Sequence, residues 1–177
     1  MASHRTRTLR GALAGGVAAA VWAAQQPLDK RVFGIDYDDA DLLGRFVAPG
    51  RAGYLAGLGL HVANGALFGA LYARVAPGLP LPRGLRGPLA GLAEHAATWP
   101  ATLLLDRVPA WEPLPRLWGS WRPFAQAAWR HLLFGTVLGE LERRLNPAEV
   151  EAEPVDDATV ATNGHGPAEH MAAGHAP

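Results

Sequence analysis

Six side chains with chemical potential lie in stretches otherwise almost empty of charge: His61, Asn64, Glu94, His95, Arg130 and His131. Ionisable groups in apolar helices are costly unless they pair or face a wet cavity, so their neighbours decide what they can do. Three chemistries are open. Neutral imidazoles can act as hydrogen-bonding glue between helices, with Asn64 and Thr98 as partners. Glu94 and Arg130, about 8 Å apart in depth on antiparallel helices, can form a buried ion pair, or line a hydrated proton-linked channel with His95 and His131. Arg130 can also snorkel outward. Finally, His61 and His131 begin equally far into helices running in the same direction, so a bis-imidazole haem or metal site is geometrically allowed. His95 falls roughly 9 Å away in depth. The first chemistry needs no further feature, and no cofactor is predicted.

The elements that must hold these residues are four charge-poor stretches. The 22 residues between Arg51 and Arg74 carry no formal charge. As a helix they extend roughly 33 Å, enough to cross a hydrocarbon core. Spans are predicted over residues 9–25, 53–74, 88–105 and 123–141, with Pro100 kinking the third. Small residues recur every four positions at Gly11, Gly15, Ala19 and Ala23, at Gly53, Gly57, His61, Gly65 and Gly69, and at His131, Gly135 and Gly139. Such stripes let helix backbones approach closely, within the chain or against a second copy or another membrane protein.

The connecting segments fit that scheme. Residues 28–49 form the longest loop, in which Leu42, Leu43, Phe46 and Val47 have the spacing of a short interfacial helix turned inward. Asp36, Asp38, Asp39 and Asp41 read as a solvated, helix-capping run; the segment lacks the turn glycine and final glutamate of a calcium loop. Trp111, Trp118 and Trp121 suit a membrane surface. Glu140, Glu142, Arg143 and Arg144 read as surface residues of the fourth helix end. Residues 1–8 are a basic flank that also suits a signal peptide cleaved near Ala24, although Pro27 onward reads as an ordinary helix exit. Residues 146–177 are rich in alanine, glycine, proline and acid and read as a disordered tail, in which His165, His170 and His175 reflect composition.

The chain's 177 residues suit one domain, and charged residues are only 18% of it, below the level of soluble domains. Net charge is zero and the arginines sit at segment ends, which argues against nucleic acid. The absence of cysteine excludes disulfides, thiol catalysis and cysteine-ligated centres. No nucleotide-binding loop, HExxH or GxSxG pattern occurs. Arg5, Arg7, Arg10, Arg74, Arg83, Arg86, Arg143 and Arg144 flank one set of span ends, against Lys30, Arg31, Arg45, Arg51, Arg107, Arg116 and Arg122 at the other; with the two nearly balanced, the compact basic flank of the first helix orients both termini to the cytoplasm.

Leu55-Ala-Gly-Leu-Gly-Leu-His61 echoes Leu89-Ala-Gly-Leu-Ala-Glu-His95 at an offset of 34 residues, as a duplicated hairpin or as chance in so alanine-rich a chain. Two stretches, AGGVAAAVWAAQQPLDKRVFGIDYDDADLLG and HVANGALFGALYAR, resemble small uncharacterised four-span membrane proteins of high-GC actinobacteria. That resemblance implies a location over residues 9–145 and supplies no activity. The expected protein is all-α: a four-helix bundle in the cell membrane, non-enzymatic, with structural or accessory duty. A small transporter or proton-linked channel using Glu94, His95, Arg130 and His131 is the alternative.

Overall fold

In the computed structural model, residues 4–105 and 115–147 are described. They form α1 (His4–Phe33), α2 (Asp39–Gly44), α3 (Gly50–Val75), α4 (Arg83–Thr98), α5 (Thr102–Leu105) and α6 (Trp121–Leu145), with 3₁₀ turns at Ala76–Gly78 and Trp99–Ala101. Asp106, Arg107, Trp111 and the tail from residue 148, with its three histidines, lie outside the described residues.

Helix boundaries differ from expectation in three places, each with a local cause. The basic flank is already helical, because Arg7 Nε donates to the Ala73 carbonyl at 2.7 Å and Nη2 to Glu142 Oε1 at 2.8 Å. The first helix does not exit at Pro27 but runs through it to Phe33. Proline there costs one backbone hydrogen bond, and buried Asp29, bonded to Arg130 on α6, holds the extra turns in place. The third segment is broken instead of kinked: Pro100 falls in the 3₁₀ turn, while the helix before it starts early, at Arg83.

Glycine sets the packing. Helix α1 packs on both α3 and α6, α4 packs on α6, and α2 lies against α3. A Cβ at Gly11 or Gly15 would strike the Gly69 or Gly65 carbonyl, and one at Gly87 or Gly91 the Gly135 or His131 carbonyl. Gly57 meets Ala40, and Gly44 meets Gly53, so α2 docks by the same device. The expected stripes are therefore used within the chain.

These crossings expose a repeat at a different register from the one expected. Leu9-Arg-Gly-Ala-Leu-Ala-Gly15 on α1 matches Leu85-Arg-Gly-Pro-Leu-Ala-Gly91 on α4, and His61, Gly65 and Gly69 on α3 match His131, Gly135 and Gly139 on α6. The antiparallel contacts Gly11–Gly69 and Gly15–Gly65 have their counterparts in Gly87–Gly139 and Gly91–Gly135. The 34-residue echo does not join equivalent positions: Gly57 faces α2 and Gly91 faces α6.

Most leucines and valines of α1 and α3 lie outside, while the interior mixes small and polar residues with a cluster of Trp22, Tyr72, Phe134 and Leu138. Inside are Ala14, Ala18, Ala19, Ala73 and Ala127, the glycines, and fully buried Asp29, Gln126 and Arg130. Outside, α1 presents Leu9, Leu13, Val17, Val21, Leu28 and Val32, and α3 presents Leu55, Leu60, Leu67, Leu71 and Val75. Among the described residues one helix, Gly50–Gly78 with its 3₁₀ turn, is long and apolar enough to cross a membrane, at mean hydropathy 1.3.

Candidate functional site

The site begins with two successive residues of α6. A step of one residue turns about 100° around a helix, so Arg130 and His131 address different neighbours. Arg130 faces α1 and the start of α2. Its Nε and Nη2 donate to Asp29 at 2.7 Å each, Nη1 to Asp39 Oδ2 at 2.8 Å, and Nη2 also to the Tyr37 carbonyl at 2.9 Å. Asp29 further accepts from Gln25 at 2.6 Å and Gln126 at 2.8 Å. Asp39 accepts from the Trp22 indole, from Gln26 and from the Tyr37 hydroxyl at 3.0, 2.9 and 2.6 Å. The Tyr37 ring lies 5.1 Å from the guanidinium carbon. With two carboxylates and one guanidinium, the cluster's charge is offset by dense hydrogen bonding, which a buried ion group requires to hold together.

Burial alone would raise the Asp39 carboxyl; the Arg130 guanidinium, then the Tyr37 hydroxyl, reverse this and hold it below its ordinary value of 3.8. Burial, with Asp39 adjacent, pushes the Tyr37 phenol well above 10.0, so it stays a donor. A depressed folded-state value stabilises the fold above the ordinary value and loses that contribution as pH falls through the folded one. We therefore expect the stability gap between wild type and Asp39→Asn, read by thermal unfolding in detergent, to persist from neutral pH down to 3.8 and to close below it. A gap already closed at about pH 5 would contradict this assignment.

His131 faces the other way. Its Nδ1 lies 2.7 Å from the Ala127 carbonyl and its Nε2 2.7 Å from Glu94 Oε2. Glu94 thus pairs with His131 and not with Arg130, which is neither its partner nor snorkelled but fully buried on aspartates. The histidines are also not glued by the expected partners. Thr98 Oγ1 donates back to the Glu94 carbonyl at 2.9 Å, and His61 Nε2 is buried without a partner. Main-chain contacts of His61 with Ala19 and of His131 with Ala127 position them together with ring packing: Trp22 lies 5.0 Å from His61 and 4.7 Å from His131, and His95 lies 4.9 Å from His131 and 4.7 Å from Phe124. His95 reaches His131 because α4 starts five residues early, moving it roughly 7.5 Å along its axis relative to the expected register.

Between α3 and α4, closed behind by α1 and α6, is a cavity of 280 Å³. Asp39, His61, Asn64, Glu94 and His131 line its polar side, and Trp22, Phe68 and Phe134 its aromatic side. Four of the six expected residues therefore share one chamber; Arg130 stands behind Asp39, and His95 behind His131. No family model, curated protein or solved structure matches this chain. Among the described residues no group of three or more histidine, aspartate or glutamate side chains is placed to hold a metal ion. His61 and His131 both pack edge-on against the Trp22 indole.

Other expectations are corrected by the same packing. Asp39 is half-buried and bonded to Arg130, not solvated, while Asp38 caps α2 by accepting from the Ala40 and Asp41 amides. Phe46 and Val47 turn outward beyond the end of α2, at 67% and 57% exposure, while Leu42 and Leu43 line the cavity. Glu142 is buried against Arg7 and Asn146, whereas Glu140 is exposed with Arg143 and Arg144. Asp29, Asp39, Gln26 and Gln126 were missed as interior residues. Their signal is the pair Gln25-Gln26 four and three residues before Asp29, which is one polar helix face.

Proposed function

We propose that this chain is an integral membrane protein crossing the bilayer four times, with both termini cytoplasmic, and that its duty is structural or accessory, without catalysis. The leucine and valine faces left outside a small-residue and polar interior carry the reading. Burying glycine, alanine and a fully bonded Arg130 while leaving leucines outside forfeits about 25 cal/mol for each Å² of apolar surface left in water, and costs nothing in lipid. Support comes from Trp118 and Trp121, exposed at one end, and from the compact basic flank Arg5, Arg7 and Arg10 ahead of the first helix. The resemblance to four-span actinobacterial proteins points the same way. A second copy or a membrane partner would meet the leucine faces, because the glycine stripes are occupied.

The chain has no native cysteine, so single cysteines at Arg5, Asp36, Gly78 and Arg116 test the topology. We expect Asp36 and Arg116 to react with an impermeant reagent in intact cells, and Arg5 and Gly78 to be protected. A pattern that fails to alternate, or a chain soluble without detergent, would sink the proposal.

The cavity favours a second reading, a proton-linked carrier. Its Glu94–His131 pair and unpartnered His61 Nε2 are the components of a relay. Proton flux in vesicles that vanishes in Glu94→Gln would promote that reading; absence of flux in the wild type would leave the structural one.

A further inference from the structure

At the end of the bundle opposite the Asp39 cluster lies a second cavity, of 140 Å³. Arg7 of α1, Arg83 and Arg86 of α4 and Arg143 of α6 line it, with Glu142 the one acid among its lining residues. With Arg7 paired to Glu142 and Arg143 to Glu140, Arg83 and Arg86 are left without a carboxylate partner around a space large enough for several waters. Helix packing needs only part of the charge in this lining. Arg7 is spent on the Ala73 carbonyl and Glu142, and Arg143 on Glu140. Arg86 uses its Nε alone, on the Leu81 carbonyl, and Arg83 makes no hydrogen bond or ion pair among the described residues. Asn146 is nine-tenths buried in the same lining, and its Oδ1 acceptor has no partner.

We propose that this pocket binds the phosphate of a phosphate ester whose alcohol part carries a free hydroxyl, supplied by an anionic phospholipid headgroup. Guanidinium forks suit phosphate oxygens, and the ester hydroxyl supplies the donor that Asn146 Oδ1 lacks. Exposed Leu9, Leu13, Val75, Leu85 and Leu89, on the helix ends around the pocket, give acyl chains an apolar path away from it. Basic pockets between helices at a cytoplasmic surface recognise acidic lipids in this way. The lipid as source rests on the membrane reading; the phosphate site does not.

The test titrates the full chain in detergent with phosphatidylglycerol or phosphatidylcholine, counting retained lipid by native mass spectrometry. Phosphatidylglycerol is expected to be retained in preference, and Arg83→Gln with Arg86→Gln to weaken it roughly thirtyfold, at about 1 kcal/mol per arginine. The lipid-free thermal midpoint should hold in that variant, since only one side-chain bond to a loop carbonyl is lost. Arg5→Gln, outside the pocket, should leave retention unchanged. Equal retention of both lipids, or of phosphatidylglycerol by wild type and double variant, with no binding of glycerol 3-phosphate through Arg83 and Arg86, would overturn the site. Glycerol 3-phosphate that binds through Arg83 and Arg86 while phosphatidylglycerol does not would keep the phosphate site and overturn the lipid source. The same binding by a chain soluble without detergent would overturn the membrane reading and leave the site standing.

Discussion

Arg130→Gln is expected to abolish the detergent-stable bundle, and Asp29→Asn in the same chain to restore part of it. The guanidinium is fully buried and answers two carboxylates from different segments, the end of α1 and the start of α2. Removing one partner from a buried ion group leaves the others uncompensated, at roughly 3–5 kcal/mol. That is comparable with the whole stability of many domains, about 5–15 kcal/mol. Neutralising Asp29 in the variant removes one stranded charge, and the amide can still meet Gln25 and Gln126. Glu94→Gln should give no such rescue, because Glu94 belongs to His131. The measurement is a pair of double-mutant cycles on the thermal midpoint in mild detergent, Arg130 with Asp29 and Arg130 with Glu94. Coupling in the second cycle and additivity in the first would reverse the assignment of partners.

That exchange of partners shows what the sequence could and could not convey. The charge-poor stretches and four-residue small stripes were enough for an all-α bundle, because helix period and backbone approach are local properties. Arg130 and Glu94 stood out as interior residues for the same reason. Their partners depended on tertiary facts. Asp29 joins the site only because α1 continues through Pro27, against the local preference of proline, and Asp39 only because α2 docks on Gly53 and Gly57. Histidine placement was likewise set by where α4 begins, a boundary that Pro88 seemed to mark and Arg83 does mark. The internal repeat was legible in the sequence as Leu-Arg-Gly-x-Leu-Ala-Gly, but the richer alanine–leucine echo between α3 and α4 masked it.

Leucine at Gly15 or Gly65 is expected to unfold the bundle in detergent, whereas leucine at Gly59 or Gly78 should leave the thermal midpoint near that of wild type. A Cβ at Gly15 would overlap the Gly65 carbonyl oxygen and stand 2.9 Å from the Gly69 Cα; one at Gly65 would stand 2.5 Å from the Ala19 Cβ and 2.8 Å from the Gly15 carbonyl oxygen. These obstacles are largely backbone, so no rotamer change relieves them and α1 must move away from α3. Extra methylenes in a packed core usually cost about 1–3 kcal/mol, and here the separation also loosens Trp22 from His61 and from Asp39. At Gly59 and Gly78 nothing lies within 4 Å of the added atom. Because α4 crosses α6 in the same register, Gly91→Leu, which drives a Cβ into the His131 carbonyl, should match Gly15→Leu in severity. It should also disturb the Glu94–His131 pair, which lies one turn from that contact. If all five variants melted together near the wild-type midpoint, the glycine crossings would not be what holds the two hairpins closed. If Gly15→Leu unfolded the bundle and Gly91→Leu did not, the hairpins would be alike in sequence but would not carry equal shares of the stability.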